Sequence, residues 1–250
     1  MLLVILYYTA GAITPVDSSG IVSVGGIKQY IRVQGKDNTR PLLLFLHGGP
    51  GSSMMGYSNK FTSRLQEHFI VVQWDQRETG KTLALNSSPE ALTPELFKND
   101  THGLILVLLE KFEQKKLYIA GHSWGTVLGF HIAERYPELL YAYIAIAPMI
   151  NQLESERIIL DLMKSDAARN GNNKETEELS VIKIPFENGE QLYYHRKWLL
   201  HFNHSDKILS KEHVLEWASV WLGVFNEASS DNMIERVPEI KCPVYFFVGR

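Results

Sequence analysis

Gly121-His122-Ser123-Trp124-Gly125 is a G-x-S-x-G pentapeptide, and its setting gives it chemical meaning. A short apolar run, Leu117 to Ala120, precedes it and a helical pattern follows from Val127 onward, so the order is strand, tight turn, helix. In that order the serine sits on a strained turn, flanked by glycines because side chains there would strike the strand or the helix. A bare G-x-S-x-G also arises as a glycine-rich loop before a helix; the neighbouring elements select the reactive reading. A serine hydroxyl is a poor nucleophile at its own pKa. It needs a base, an acid to orient that base, and donors for the oxyanion that develops on the attacked carbonyl. Donors are offered by His47-Gly48-Gly49-Pro50-Gly51, which directly follows the apolar run Leu42 to Leu46. In a nucleophile-elbow site one backbone N–H comes from such a loop and the other from the residue after the serine. The predicted pair is therefore Gly49 and Trp124, with Ser123 as the nucleophile. The alternative for His47 to Gly51 is a tight turn with no further role.

The elements that would position these groups can be read in order. Ile21 to Gln34 reads as two extended segments around Gly25-Gly26, a hairpin signal. Leu42 to Leu46 is continuously apolar, as in a parallel-sheet strand covered on both faces. Phe69 to Trp74 is a further strand, leading into Asp75-Gln76-Arg77-Glu78-Thr79-Gly80-Lys81-Thr82. A helix is predicted over Pro94 to Phe112, with Thr93 as its cap and Pro94 at its first position. Tyr141 to Ala147 and Val244 to Val248 complete the strands. Strands alternating with helices predict an α/β fold with a mostly parallel sheet. Between the sixth and last strands, residues 149–239 carry no comparable strand and many helix formers, which predicts an inserted helical cap over the carboxyl ends of the strands. Within it Asp166 to Glu178 reads as a solvated turn region. The expected organisation is 1–16 as a signal or anchor segment, 17–148 as core, 149–239 as cap and 240–250 as the return to the core.

With 250 residues, 45% of them apolar, the chain can bury one sizeable core. A formal charge of -3 with dispersed Lys and Arg gives no footprint for nucleic acid. The single cysteine, Cys242, excludes an internal disulfide and reads as a small buried residue before a strand. No His and carboxylate cluster has metal-ligand spacing, so no metal or other cofactor is expected. From Met1 to Val16 there is no charged side chain, and Ala10-Gly11-Ala12 has the small-x-small form of a signal-peptidase site. That run is shorter than a membrane span of about 18 residues and lacks a basic start. Export or anchoring is the preferred reading; an N-terminal strand of a cytoplasmic protein is the other. Membrane association is expected only if the segment is an uncleaved anchor.

Residues 47–51, 75–82 and 121–126, in this order and spacing, resemble the α/β-hydrolase superfamily, and more narrowly its proline iminopeptidase branch. The resemblance runs from about Val24 to Arg250. It implies a serine aminopeptidase that removes N-terminal residues, often proline, from small peptides through an acyl-enzyme, with no cofactor and a structural role for the Asp75-Gln76-Arg77 turn. A small-ester carboxylesterase is the alternative. The chain departs from the pattern in three places. Glu78 replaces the glycine that usually ends the DQRG turn, and Leu222 in Ala218 to Gly223 stands where a glutamate helps hold the substrate amine. Glu154, Glu156 or Glu216 could supply that carboxylate, but each reads more simply as a solvated helix face. Thirdly, the family's acid and histidine follow the strand matched by Val244 to Val248, and the supplied sequence stops at Arg250. His47 and His122 are committed to their loops; His195, His201, His204 and His213 read as solvent-facing; His68, His102 and His131 as packed or wet. Without a base, turnover falls on the order of a million-fold, about 8 kcal/mol. Two expectations follow: a serine hydrolase whose acid and base are encoded downstream, or a catalytically incomplete fold that binds peptides or a partner. A stop codon directly after Arg250 would eliminate the first.

Overall fold

The hairpin read around Gly25-Gly26 forms as β1 (Val16–Val24) and β2 (Ile27–Gly35), paired antiparallel from Val16 opposite Gly35 to Val24 opposite Ile27. The computed structural model describes residues 13–249, so the expectations placed on residues 1–12 lie outside the described residues. Five further strands follow: β3 (Leu42–Leu46), β4 (Ile70–Asp75), β5 (Leu117–His122), β6 (Leu140–Ile146) and β7 (Val244–Phe247). Their order in one sheet is β1-β2-β4-β3-β5-β6-β7. β2 meets β4 antiparallel, and every pairing from β4 to β7 is parallel. This is an α/β-hydrolase sheet, with the continuously apolar strands in the middle.

Every residue of β3 and β4 is buried, which is why Leu42 to Leu46 reads as a continuous apolar run. One face carries Leu43, Phe45, Val71 and Ala120, packed with Met54, Leu65 and Phe69. The helices of this unit are α1 (Asn59–Thr62), α2 (Gly80–Leu85), α3 (Pro94–Lys111) and α4 (Trp124–Arg135). α3 and α4 pack together, Phe97 standing edge-on to Trp124 with ring centroids 5.5 Å apart. α3 begins as read: the Thr93 side chain accepts from the Leu96 N–H, with Pro94 in the first turn.

The chain divides into two compact units, Met1–Met149 with Arg236–Arg250, and Ile150–Glu235. The second is helical: α5 (Gln152–Asn170), α6 (Asn173–Ser180), α7 (Gly189–Phe202) and α8 (Lys211–Ser229). The turn expected over 166–178 is instead the end of α5 and most of α6. Its turn-forming residues are caps: Gly171 closes α5 at φ +64°, and the Asn172 side chain accepts from the Glu175 N–H. The ends of this unit are joined, Asn151 bridging Asn232 and the Met233 N–H donating to the Ile150 carbonyl at 2.8 Å. Among the described residues no helix is long and apolar enough to cross a membrane.

Two further expectations need correction here. His195 and Glu156 do not face solvent; both are buried between α5 and α7. The carboxylate is tolerated because Arg196 donates to it twice, at 2.6 and 2.8 Å, and Gln152 once at 2.8 Å. Burial pushes the Glu156 carboxyl up and Arg196 outweighs it, leaving the group below its ordinary range. His195 Nε2 lies 3.3 Å from Glu156 Oε2 without hydrogen-bond alignment, and burial, with the Arg196 charge, lowers its pKa to about 4. Glu154 and Glu216 are exposed, as read.

Candidate active site

The parallel pairing of β3 with β5 sets Leu46 opposite Gly121, so the loop that leaves β3 and the turn that leaves β5 emerge side by side. Ser123 sits on that turn at φ +51°, ψ −118°, a conformation that a residue with a side chain rarely adopts. Three hydrogen bonds hold it there. Its N–H donates to the Ile146 carbonyl at 3.0 Å, and its carbonyl accepts from the Thr126 N–H at 2.8 Å and the Thr126 hydroxyl at 2.5 Å. The hydroxyl of Thr126 in turn accepts from the Met149 N–H at 3.0 Å. Gly125 is required by close approach, since a Cβ there would stand 2.1 Å from the Leu46 carbonyl oxygen. Ser123 is half-buried and Trp124 fully buried.

The His47 to Gly51 loop lies against this turn. A Cβ on Gly48 would stand 2.9 Å from His122 Nδ1 and 3.4 Å from Ser123 Cβ. Gly49 follows at φ +119°, half-buried. The structure thus brings the loop containing Gly49 and the residue pair Ser123-Trp124 into one place. Such a place can present a hydroxyl beside main-chain N–H groups to a carbonyl that enters it.

The Asp75 to Lys81 turn braces both parts. The Gln76 side chain donates from Nε2 to the His47 carbonyl at 3.2 Å and accepts at Oε1 from the Trp124 indole N–H at 3.0 Å. The Gln76 main-chain N–H donates to His47 Nε2 at 3.2 Å, and His47 Nδ1 lies 2.9 Å from the Gly48 carbonyl oxygen. Burial holds the His47 imidazole below its ordinary range, with the Gly48 hydrogen bond and Asp75 acting weakly the other way. Asp75 accepts from the Ser53 hydroxyl at 2.5 Å and the Lys81 N–H at 2.8 Å. Arg77 is wholly buried; it meets Asp100 of α3 through two 2.9 Å bonds and donates to the Gly25 carbonyl at 2.6 Å, tying the hairpin to the turn. Glu78 takes φ +54° and its carboxylate accepts from the Ser88 N–H. The glycine usual at this place has the backbone freedom that Glu78 replaces with a side-chain hydrogen bond.

Among the described residues no histidine and no carboxylate is hydrogen-bonded to the Ser123 hydroxyl. His47 is spent on the loop, and His122 stands beside the turn with its ring against Gly48. His102 stacks on Tyr136 at 3.8 Å and His131 stands edge-on to the same ring. Also among the described residues, no group of three or more His, Cys, Asp or Glu side chains is placed to hold a metal ion. Sequence reading missed Gln76 and Thr126 as individual braces; Gln76 lay inside a turn already marked by resemblance, whereas Thr126 carried no signal beyond its place after the pentapeptide.

A family model described as the alpha/beta hydrolase fold matches residues 41–182. The probable aminopeptidase YbaC of Bacillus subtilis (strain 168) is 40% identical over 135 residues, 54% of this chain and 42% of the relative. A proline iminopeptidase of Lactobacillus helveticus (strain DPC 4571) is 27% identical over 120 residues, 48% of this chain and 40% of the relative. Each match spans less than half of the relative's own length. Among solved structures, the proline iminopeptidase of Mycobacterium smegmatis superimposes with a TM-score of 0.57 at 18% identity, over 92% of this chain and 80% of that one, a likeness of fold.

Proposed function

This chain belongs to the family of the alpha/beta hydrolase fold, and from that premise we propose that it is the nucleophile-bearing part of a serine aminopeptidase of the proline iminopeptidase type. The observation that carries the reading is Ser123, held at φ +51° on the turn between β5 and α4, against the loop that follows β3. In this reading Ser123 Oγ attacks the carbonyl carbon of a substrate's first residue. The carbonyl oxygen becomes an oxyanion that accepts from the Gly49 and Trp124 N–H groups, and the amine of the second residue leaves as the acyl-enzyme forms. Water then releases the acyl group. A general base must take the hydroxyl proton and return it to the departing amine, and a histidine oriented by a carboxylate is the group that performs this in a serine site. Support for a peptidase comes from the names of the YbaC and Lactobacillus helveticus relatives.

A second reading, a small-ester carboxylesterase, draws on a specific observation. Glu156 is buried and already bound by Arg196 and Gln152, and Leu222 occupies the other place where a glutamate was sought. A cationic amino terminus needs a carboxylate free to pair with it, and an ester substrate does not.

Hydrolysis of prolyl and alanyl anilides, their N-blocked forms and short acyl esters separates these readings when the full-length protein is assayed beside Ser123→Ala. The expected result is turnover of the free-amine anilides and a loss on the order of a million-fold in Ser123→Ala. Activity confined to N-blocked or ester substrates would eliminate the aminopeptidase. An unaffected Ser123→Ala variant would eliminate the serine mechanism altogether.

A further inference from the structure

The His47 ring is 1% exposed and both of its nitrogens are engaged. Nε2 faces the Gln76 main-chain N–H at 3.2 Å, a group that can only donate, so Nε2 must be the unprotonated acceptor. The ring proton of the neutral imidazole is then on Nδ1, 2.9 Å from the Gly48 carbonyl oxygen, and is donated to it. That carbonyl belongs to the trans Gly48–Gly49 peptide. In a planar trans unit the N–H points opposite to the C=O. Holding the Gly48 oxygen therefore aims the Gly49 N–H. Among the described residues the other donor to that oxygen is the Ser52 N–H, at a longer 3.4 Å, and Gly48 itself is pressed against His122 and Ser123.

We propose that His47 is a positioning residue: a neutral Nδ1–H tautomer, imposed by the Gln76 main chain, fixes the Gly48–Gly49 peptide plane and so the direction in which the Gly49 N–H is presented beside Ser123. Gln76 completes the brace from its side chain, gripping the His47 carbonyl and the Trp124 indole together. Both residues that contribute oxyanion N–H groups in the proposed mechanism are thereby referred to one residue. The inference rests on that mechanism for its catalytic consequence and on the hydrogen bonds alone for the tautomer. Burial, which keeps the imidazole neutral, acts in the same direction.

Two measurements on the full-length protein test it, with p-nitrophenyl acetate as an ester that transfers its acetyl group to a serine facing oxyanion donors and releases p-nitrophenolate. Ring 15N spectra at pH 7 are expected to give a protonated Nδ1 and an acceptor Nε2 for His47. His47→Asn can still donate to the Gly48 oxygen from an amide near the Nδ1 position, whereas His47→Gln reaches only toward Gln76. His47→Gln is therefore expected to lose roughly 100- to 1000-fold in kcat at nearly unchanged KM, the cost of one misaligned donor, and His47→Asn to retain most of the activity. An Nε2–H tautomer or an imidazolium at pH 7 overturns the proposal without need of any variant that might fail to fold. A folded His47→Gln with wild-type kcat overturns its catalytic consequence. If the wild type is not acylated at all, the serine-hydrolase reading falls and takes that consequence with it, while the ring spectrum still decides the tautomer.

Discussion

Ser123 shows how much local strain a single residue can carry. A non-glycine residue at φ +51°, ψ −118° is destabilised by roughly 1–3 kcal/mol, held by the three hydrogen bonds around it. Ser123→Gly is therefore expected to raise stability by about 1 kcal/mol after the larger chain entropy of glycine is subtracted, while Ser123→Ala leaves it nearly unchanged. Urea unfolding of the two variants measures the difference, and equal midpoints would show that the turn carries no strain. This strain was legible in advance, because G-x-S-x-G between a strand and a helix encodes it through what must be absent at positions 121 and 125. Glu78 was not legible in the same way. A glutamate gives no hint of a positive φ, and the Ser88 N–H that its carboxylate meets is ten residues distant.

At the scale of elements, hydropathy reported the strands and failed on the charged helices. Leu42 to Leu46 is buried on both faces, so its continuous apolar run carried the signal directly, and Phe69 to Trp74 marked the strand that forms over Ile70 to Asp75. Around 166–178 the Asn and Gly residues that suggest a loop are caps of two helices, and the charged residues between caps are ordinary helix surface. His195 and Glu156 were misplaced for a related reason: pairing lets charged groups enter a core, and the pairing partner lies 40 residues from Glu156 in the chain. This cluster carries a pH dependence. The His195 pKa lies near 4 in the folded protein against 6.5 ordinarily, so folding excludes a proton. The stability it contributes is whole above pH 6.5 and is lost as pH falls from there toward 4, on the order of 2 kcal/mol by pH 5. Glu156, lowered from 4.5, adds a loss of the same sign at still lower pH. Thermal unfolding between pH 7.5 and 5 is expected to be less steeply pH-dependent in His195→Gln than in the wild type; parallel profiles would contradict this assignment.

At the scale of the whole sheet, its two outermost strands among the described residues differ in chemistry. β1 presents Asp17, Ser18 and Ser19, with Asp17 near Arg32, the kind of polar border that discourages further pairing. β7 presents Tyr245, Phe246 and Phe247, all exposed, and among the described residues it pairs with β6 alone. An apolar border of that kind templates association between chains. In these 250 residues Phe247→Lys is expected to lower concentration-dependent light scattering severalfold without shifting the unfolding midpoint, and unchanged scattering would place the association elsewhere. The strand segments along the chain and the position of the turn at Ser123 were within reach of sequence reading because each rests on contiguous residues. The buried braces, Gln76 to Trp124 and Arg77 to Asp100, join residues 48 and 23 apart and become visible only when the chain is folded.

The joining of Ile150 to Met233 and of Asn151 to Asn232 has an architectural meaning. A helical segment whose two ends are already stitched together behaves as a detachable cassette, since its point of insertion is no wider than an ordinary hairpin stem. Helical cassettes of other lengths spliced onto the same stem leave the strand registry undisturbed, so this block is free to vary in length while the sheet is kept.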